Sequence, residues 1–247
     1  MFSLYVEDSP ALDIADMFIQ IDKVEISTDN SQWVNISMYA QEFNILQYVG
    51  GNSLNVAKGV VPKGHYTKLR VTFLDNITLN TFETSPKTKL DPKKATQTFD
   101  INYTSENNEQ HLELMDIDIP NSVVKIDEEN YVFSPAASIV DPYLGVVKGI
   151  VATKTGTGEN VIAVAINTRM MITATSSDNI IRTTYTTQKG GKVFIRLKEG
   201  VYTIELTPMS DDLEHQPIKI ENVSVKYSEQ TNLQTIYIDK IDLEPVE

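Results

Sequence analysis

The sequence predicts an all-β fold made of two tandem β-sandwich domains with little helix. Three observations lead to this prediction. Apolar residues recur at every second position along many short segments, which is the period of a strand with one buried face. Thr, Val, Ile and Tyr, which favour strands, are plentiful. Clusters of Gly, Pro, Asn and Asp separate the segments, as turns between strands require.

The alternating segments occur in both halves of the chain. Residues 68–73 alternate polar and apolar side chains, and residues 202–206 do the same. Near Asp22 the apolar positions change parity, from Ile21 to Val24, which predicts a β-bulge because a bulge inserts one extra residue into a strand. The main helix candidate is residues 39–49, which has apolar positions on one face and Gly50-Gly51 as a stop signal.

The best domain boundary lies in the segment Asp141-Pro142-Tyr143-Leu144-Gly145, where Pro and Gly flank a short hinge between two strand-rich halves. The predicted domains are residues 1–143 and residues 144–247. Both have an ordinary size for a domain, and 41% of the residues are hydrophobic, which is enough for two cores.

A short motif occurs once in each predicted domain. Gly64 and Tyr66 stand in the same spacing and context as Gly200 and Tyr202, each pair opening a strand after a turn. The glycine is expected to provide the flexibility of a tight turn. The tyrosine is expected to donate its hydroxyl proton back to the loop backbone, as in a tyrosine corner. The repeat indicates that both domains are sandwiches of related design.

Composition excludes several functions. The formal net charge is −13, so phosphate backbones and anionic membrane surfaces are repelled, and nucleic acid is not an expected partner. The chain has no cysteine, which excludes disulfide scaffolds, zinc–thiolate sites and thiol nucleophiles. The longest purely apolar run has six residues, 161–166, far fewer than the roughly 20 that a membrane-spanning helix needs.

Catalytic signatures are not apparent. The sequence contains no Gly-x-Ser-x-Gly elbow, the turn that exposes a hydrolase serine. His65, His111 and His215 lie far apart in the sequence and are predicted to be turn or surface residues. The chain is therefore expected not to be an enzyme and to use no cofactor.

Acidic residues offer weak metal candidates. Asp116 and Asp118 are predicted to share one face of a strand, and Asp211 and Asp212 lie in a charged loop; such oxygen ligands suit calcium. The alternatives are a solvated strand face and a solvated loop. A calcium ion therefore stays an open alternative to the absence of any cofactor.

Flat aromatic rings could form a contact surface for sugars, because they provide area at low entropic cost. The candidates are Trp33, Tyr39, Tyr48, Tyr103 and Tyr185. Packing in the core or at its rim is the alternative for most of them. Tyr185 lies in a Thr-rich run and is expected to be the most exposed of the five.

The first domain resembles the family of domain of unknown function 4382 (DUF4382). The resemblance is carried by residues 4–10, by the strand Ile19-Gln20-Ile21-Asp22-Lys23-Val24-Glu25-Ile26 and by Pro62-Lys63-Gly64-His65-Tyr66-Thr67-Lys68-Leu69-Arg70-Val71. It covers roughly residues 3 to 140, and is specific over these motifs and vague between them.

The second domain resembles a carboxypeptidase-regulatory or transthyretin-like sandwich. Residues 191–197 and 200–202 carry that family's pattern of alternating apolar residues followed by Gly-x-Tyr. Val193 replaces the usual aromatic residue, and the usual Asp before the first Gly is missing. The two resemblances together imply Ig-like or transthyretin-like sandwiches in an exported bacterial surface protein, with an N-terminal lipid anchor in the precursor.

These inferences predict a non-catalytic cell-surface binding or adhesion module, located outside the cytoplasm at the cell surface or the outer membrane. Its expected partner is a protein or glycan ligand, and it contacts the membrane only through a removed N-terminal anchor. The alternative is a structural subunit or tip of a surface pilus assembled by strand addition, with residues 2–6 and 236–247 as the segments to watch.

Overall fold

A computed structural model describes residues 1–8, 14–106, 109–155, 162–166, 168–187, 190–209 and 215–239. The chain divides into two compact units, residues 1–142 and residues 143–247. Each unit has its own hydrophobic core, and the two are described separately below.

Unit 1 contains thirteen strands over its described residues, together with one turn of 3-10 helix and one short α-helix. The strands are β1 (Phe2–Asp8), β2 (Ile14–Ser27), β3 (Trp33–Ile36), β4 (Glu42–Asn44), β5 (Leu54–Gly59), β6 (Gly64–Phe73), β7 (Thr78–Thr81), β8 (Lys87–Leu90), β9 (Thr96–Ser105), β10 (His111–Ile117), β11 (Val123–Lys125), β12 (Asn130–Phe133) and β13 (Ala137–Val140). The 3-10 helix is Ile45–Gln47 and the α-helix, α1, is Ile119–Ser122.

Two sheets of unit 1 enclose its core. One has four strands in the order β13-β10-β1-β5. The other has six strands, with the order β3-β2-β6-β9 and with β4 and β7 also paired to β2. A small third sheet has the order β11-β12-β8. Strand β1 is central in its sheet, parallel to β10 and antiparallel to β5, and its Phe2, Leu4 and Val6 are fully buried.

Strand β2 is the longest strand and has the predicted bulge. Its register with β6 shifts between Ile21 and Lys23, at the point where the apolar residues change parity. The bulge keeps Ile19, Ile21, Val24 and Ile26 all in the core, since one extra residue restores the inward direction of the side chains. The parity change in the sequence therefore predicted a real feature of the strand.

The helix expected at residues 39–49 is wrong. This segment forms β4 and the single 3-10 turn instead. Strand β4 pairs with β2, so its backbone groups find partners in the sheet, and the Asn44 side chain accepts a hydrogen bond from the backbone N–H of Met17 at 3.1 Å. Phe43 and Ile45, two positions apart, are both buried, and this spacing fits an extended path better than a helix face.

Unit 2 contains eight strands over its described residues: β14 (Gly145–Thr155), β15 (Ile162–Ala165), β16 (Met170–Ser176), β17 (Ile181–Tyr185), β18 (Lys192–Leu197), β19 (Gly200–Pro208), β20 (Ile218–Val225) and β21 (Gln230–Tyr237). One four-stranded sheet has the order β15-β14-β18 with β21 paired to β14, and the other has the order β17-β16-β19-β20. Val147, Ile172 and Ile204, from both sheets, are fully buried in the core between them.

The prediction of an all-β fold of sandwich domains with little helix is thus confirmed. In the described part of the chain, neither helix has the length and apolar character needed to span a membrane.

Candidate functional site

The outer side of the six-stranded sheet in unit 1 has a polar surface with one indole ring. We call it the outer polar face and define it by Trp33, Glu25, Lys68, Arg70 and Asp100. The strand register brings these residues together, because Trp33 lies beside Ser27, Ser27 beside Lys68, and Lys68 beside Asp100. In the next row of the sheet, Glu25 lies beside Arg70.

Three of these side chains form a connected group. The guanidinium carbon of Arg70 lies 3.9 Å from the centroid of the Trp33 ring, in a cation–π contact. Arg70 donates from Nε to Glu25 Oε2 at 2.9 Å, and its Nη2 lies 2.9 Å from the same oxygen. The Glu25 and Arg70 side chains are only 16% and 29% exposed, so this ion pair is partly desolvated and better fixed than a typical surface pair.

The remaining polar groups of this sheet surface are more accessible. Lys68 donates to the Asp100 carboxylate, whose side chain is 87% exposed. In the row beyond Arg70, the hydroxyls of Thr72 and Thr96 lie 3.3 Å apart. The surface therefore presents donors and acceptors on one side of the Trp33–Arg70 contact.

The turn before Trp33 is held by Asp29. Its carboxylate accepts hydrogen bonds from the Ser31 hydroxyl at 2.7 Å, from the Ser31 N–H at 2.9 Å and from the Gln32 N–H at 3.2 Å. The hydroxyl and N–H groups of Ser31, followed by the Gln32 N–H, lower the pKa of Asp29 from 3.8 to about 2. Because Trp33 follows directly, this turn sets where the indole enters the sheet.

The chemistry of the outer polar face is that of recognition. A partly exposed indole provides apolar contact area together with one N–H donor. The ion pair beside it holds its polar atoms in place before any ligand arrives. Such an arrangement of an aromatic residue, an arginine and fixed polar groups is common at the energetic centre of binding surfaces.

The two repeated motifs have the same geometry in both units. The Tyr66 hydroxyl donates to the carbonyl oxygen of Pro62 at 2.9 Å, and the Tyr202 hydroxyl donates to that of Lys198 at 3.0 Å. Both bonds span four residues back along the chain, and both rings are buried. Burial raises the pKa of each tyrosine above its ordinary value of 10.0.

The flexibility expected of the two glycines is needed at only one of them. Gly64 and Gly200 are the first residues of β6 and β19. Gly64 has a negative φ, whereas Gly200 has a positive φ of 159°, which residues with a side chain rarely adopt. A Cβ atom at Gly200 would lie 3.4 Å from Cε2 of Tyr202, and one at Gly64 would lie 3.8 Å from Cε2 of Tyr66. Each glycine thus lies directly against the ring of its tyrosine.

Asp116 and Asp118 do not belong to one strand, as the prediction of a shared face had assumed. Asp116 lies on β10 beside Glu7 of β1, but Asp118 follows the end of the strand and caps α1, accepting from the Asn121 N–H at 3.1 Å. Pro120 favours a helix start here, because its fixed φ suits the first turn. In the described ranges, no group of three or more His, Asp or Glu residues is placed to hold a metal ion. Asp211 and Asp212 lie outside the described residues.

Tyr185 is not the most exposed of the aromatic candidates. It lies at the end of β17 opposite Met171 and is partly buried, whereas Tyr39 is 69% exposed. Tyr103 belongs to the core and Tyr48 is partly buried. The Thr-rich sequence indicated the surface of a sheet, but it did not show that the Tyr185 ring is partly buried there.

Two of the three histidines are less exposed than predicted. His65 is exposed and lies 3.1 Å from the Thr104 hydroxyl. The ring of His111 stacks on Tyr103 at 4.4 Å between centroids, and its Nε2 lies 2.6 Å from Glu113 Oε1. His215 is buried. His111 therefore helps to join β10 to β9, since its ring partner Tyr103 belongs to the other sheet.

Sequence reasoning found Trp33 but missed Glu25 and Arg70. Both occupy the polar positions of alternating strands, so their outward direction could be predicted. Their pairing could not, because it depends on β2 and β6 being neighbours in a particular register.

Solved structures with some similarity include a pilin and a fimbrial protein. The TIE protein of Bacillus anthracis is 14% identical, with 96% of this chain and 39% of that chain covered and a TM-score of 0.27. The minor pilin GBS52 of Streptococcus agalactiae is 9% identical, with 100% and 99% covered and a TM-score of 0.27. A fimbrial protein of Bacteroides ovatus is 8% identical, with 96% and 49% covered and a TM-score of 0.24.

This chain spans about two fifths of the length of the TIE protein. TM-scores of this size establish neither a shared fold nor a shared function. No curated protein matches the chain significantly.

The family model of a domain of unknown function, DUF4382, matches residues 1–135, which is more than half of the chain. The match includes the first strands and the segment of β6 on which the resemblance was based, and it confirms that resemblance. This protein belongs to the DUF4382 family.

Proposed function

We propose that the chain is a non-catalytic binding or adhesion module of a cell surface, and that the outer polar face of unit 1 contacts its protein or glycan ligand. The observation that carries the proposal is the connected group of Trp33, Arg70 and Glu25. These three side chains combine a large aromatic surface with a partly desolvated ion pair on the outer side of the sheet.

Preorganisation supports this assignment. Binding costs free energy for every mobile side chain that must be ordered, roughly 0.5–1.5 kcal/mol each. The Arg70 guanidinium is already held by Glu25 from one side and by the Trp33 ring from another. Arg70 therefore loses little side-chain entropy when a ligand binds to the outer polar face.

The scaffold supports a role in display. We propose that unit 2, with its two four-stranded sheets, is a transthyretin-like sandwich. We also propose that a lipid anchor tethers the precursor, as the family resemblance implies. Mass spectrometry of the native protein for an acylated N-terminal cysteine tests the anchor.

One of the two segments considered for strand addition in a pilus is already part of the unit 1 core. Residues 2–6 belong to β1, which is paired on both sides and contains fully buried Phe2, Leu4 and Val6. Donating this strand to another subunit would remove the centre of the unit 1 core. Of the other segment, Ile236 and Ile238 are buried in the unit 2 core, and residues 240–247 lie outside the described residues.

A binding screen against glycan and matrix-protein arrays tests the proposed function. For any ligand found, Trp33→Ala is expected to weaken binding by about 2 kcal/mol, or roughly 30-fold, as for a central aromatic contact. Tyr39→Ala is the matched control, because Tyr39 is an exposed aromatic residue of the same unit outside this face. Equal binding by the wild type and Trp33→Ala would contradict the proposal.

A further inference from the structure

Strand β9 differs from the other edge strands of the described chain. It has ten residues, whereas the other edge strands have eight or fewer. The two eight-residue edges, β20 and β21, each contain a left-handed residue, Asn222 with φ 59° and Gln234 with φ 58°. Such bulged edges resist pairing with another chain, and the remaining edge strands have six residues or fewer. In β9 the register with β6 shifts only beyond Asp100, so its first half is a regular strand.

The phase of the β6–β9 ladder shows which backbone groups of β9 point outward. The Phe73 N–H donates to the carbonyl oxygen of Ala95 at 2.7 Å, so this pair is hydrogen-bonded. In an antiparallel ladder the bonded pairs alternate with pairs whose groups point away. Gln97 and Phe99 therefore turn their backbone groups toward β6. Thr96, Thr98 and Asp100 turn theirs to the open edge.

The charges along β9 run from basic to acidic. Lys93 and Lys94 are exposed and come just before the strand, while Asp100 lies in its middle and Glu106 follows its end. When two such strands run antiparallel, the basic end of each lies along the acidic part of the other. The edge is therefore complementary to itself, as a two-fold interface requires.

We propose that β9 is the site at which two copies of this chain associate, with their β9 strands antiparallel and their six-stranded sheets joined. This interaction goes beyond the proposed ligand contact. It uses the backbone edge of β9, and Asp100 is the one residue that it shares with the outer polar face. The net charge of −13 on each copy opposes association. Screening over about 8 Å at physiological ionic strength weakens this repulsion, so dimerisation is expected to depend on protein concentration.

Proline substitutions test the backbone pairing in the full chain. Thr98→Pro removes an N–H that points to the open edge and leaves the β6 ladder intact, as edge strands tolerate. Thr98→Val is the matched control, because it keeps the backbone N–H and the branched side chain. Sedimentation velocity across a range of concentrations is expected to show dimerisation of the wild type and Thr98→Val. The dimer Kd of Thr98→Pro is expected to be at least about tenfold higher.

A charge exchange tests the same interface without proline. Asp100→Lys and Lys94→Asp are each expected to weaken the dimer, because like charges then face each other. The variant with both Asp100→Lys and Lys94→Asp is expected to regain association, since opposite charges again face each other with their positions exchanged. Trp33 fluorescence shows whether Thr98→Pro folds. If it does not fold, the charge variants alone decide whether β9 is the dimer interface.

Two results would overturn the proposal. One is a wild-type chain that stays monomeric at every concentration. If a synthetic peptide of alternating valine and threonine nevertheless protects the β9 amides of that monomer from hydrogen exchange, the edge binds a foreign strand and not a second copy. The other is a dimer that the Thr98 and charge variants leave unchanged, which would place the interface elsewhere.

Discussion

The repeated tyrosines offer a matched pair of perturbations, one in each unit. Tyr66→Phe and Tyr202→Phe each remove one hydroxyl and its hydrogen bond to a backbone carbonyl four residues earlier. The rest of each ring stays in its core, so no cavity of aromatic size forms. One neutral hydrogen bond contributes about 1 kcal/mol net to stability, and each substitution is expected to cost about that much.

The chain contains a built-in reporter for this experiment. Its single tryptophan, Trp33, lies in unit 1, so intrinsic tryptophan fluorescence follows the unfolding of that unit. Urea m-values for domains of this size are about 1–3 kcal/mol per M, so 1 kcal/mol moves the midpoint by roughly 0.3–1 M. Tyr66→Phe is expected to lower the fluorescence midpoint by this amount. Tyr202→Phe is expected to leave it unchanged and to lower only a transition seen by circular dichroism.

The pH dependence provides a second check on the same bond. Because burial raises the pKa of Tyr66 above 10.0, the unfolded tyrosine ionises first as the pH rises. The contribution of the protonated hydroxyl is therefore complete below pH 10 and is lost as the pH rises through the folded pKa. The stability difference between the wild type and Tyr66→Phe should shrink above pH 10.

In the urea experiment, equal shifts of the fluorescence midpoint by Tyr66→Phe and Tyr202→Phe would refute the reasoning, since they would show that both units unfold as one cooperative core.

Three further predictions concern other contacts. Gly191→Ala should destabilise unit 2 by roughly 2–4 kcal/mol, because Gly191 has φ 54° and an added Cβ would lie 2.6 Å from the Val151 carbonyl oxygen. Gly190→Ala is the control: Gly190 has φ 87° but no atom within 4 Å of an added Cβ, so this substitution should cost only about 1 kcal/mol. Urea unfolding followed by circular dichroism measures both. Asp29→Asn should reduce the loss of unit 1 stability that accompanies acidification from pH 3.8 toward about 2. The low pKa of Asp29 stabilises the folded state above 3.8, and this contribution is lost as the pH falls; fluorescence-monitored unfolding at each pH measures it. Arg70→Ala should shift the Trp33 emission maximum to longer wavelength, because the guanidinium 3.9 Å from the ring is replaced by water; an unchanged spectrum would show that this contact is not formed in solution.

Short-range patterns predicted the features that depend on neighbouring residues. The alternation of polar and apolar side chains predicted the strands, and the change of parity at Asp22 predicted the bulge in β2. The same patterns misassigned residues 39–49, because a few apolar positions in so short a segment fit either one helix face or a broken extended path. The long strand β2 decided between them by offering β4 a hydrogen-bonding partner.

The candidate site was only partly predictable for a similar reason. Alternation placed Glu25 and Arg70 on outward faces, yet it could not tell that they meet each other and Trp33. Asp118 shows the opposite error, since the strand that should have carried it ends one residue earlier and the carboxylate caps α1.

By itself, the sequence determined the strand-rich character of both units, the repeated Gly-x-Tyr motif and the absence of thiol chemistry, because these follow from local spacing and from which residue types are present. Only the tertiary structure decided which strands are neighbours, which edge stays open and which outward side chains form one surface. The physical reason is that sheet pairing joins residues far apart in the chain through backbone hydrogen bonds, which are the same for nearly every side chain. The register of two strands is therefore fixed only when the side chains on both faces of the sheet are packed or solvated in the folded protein.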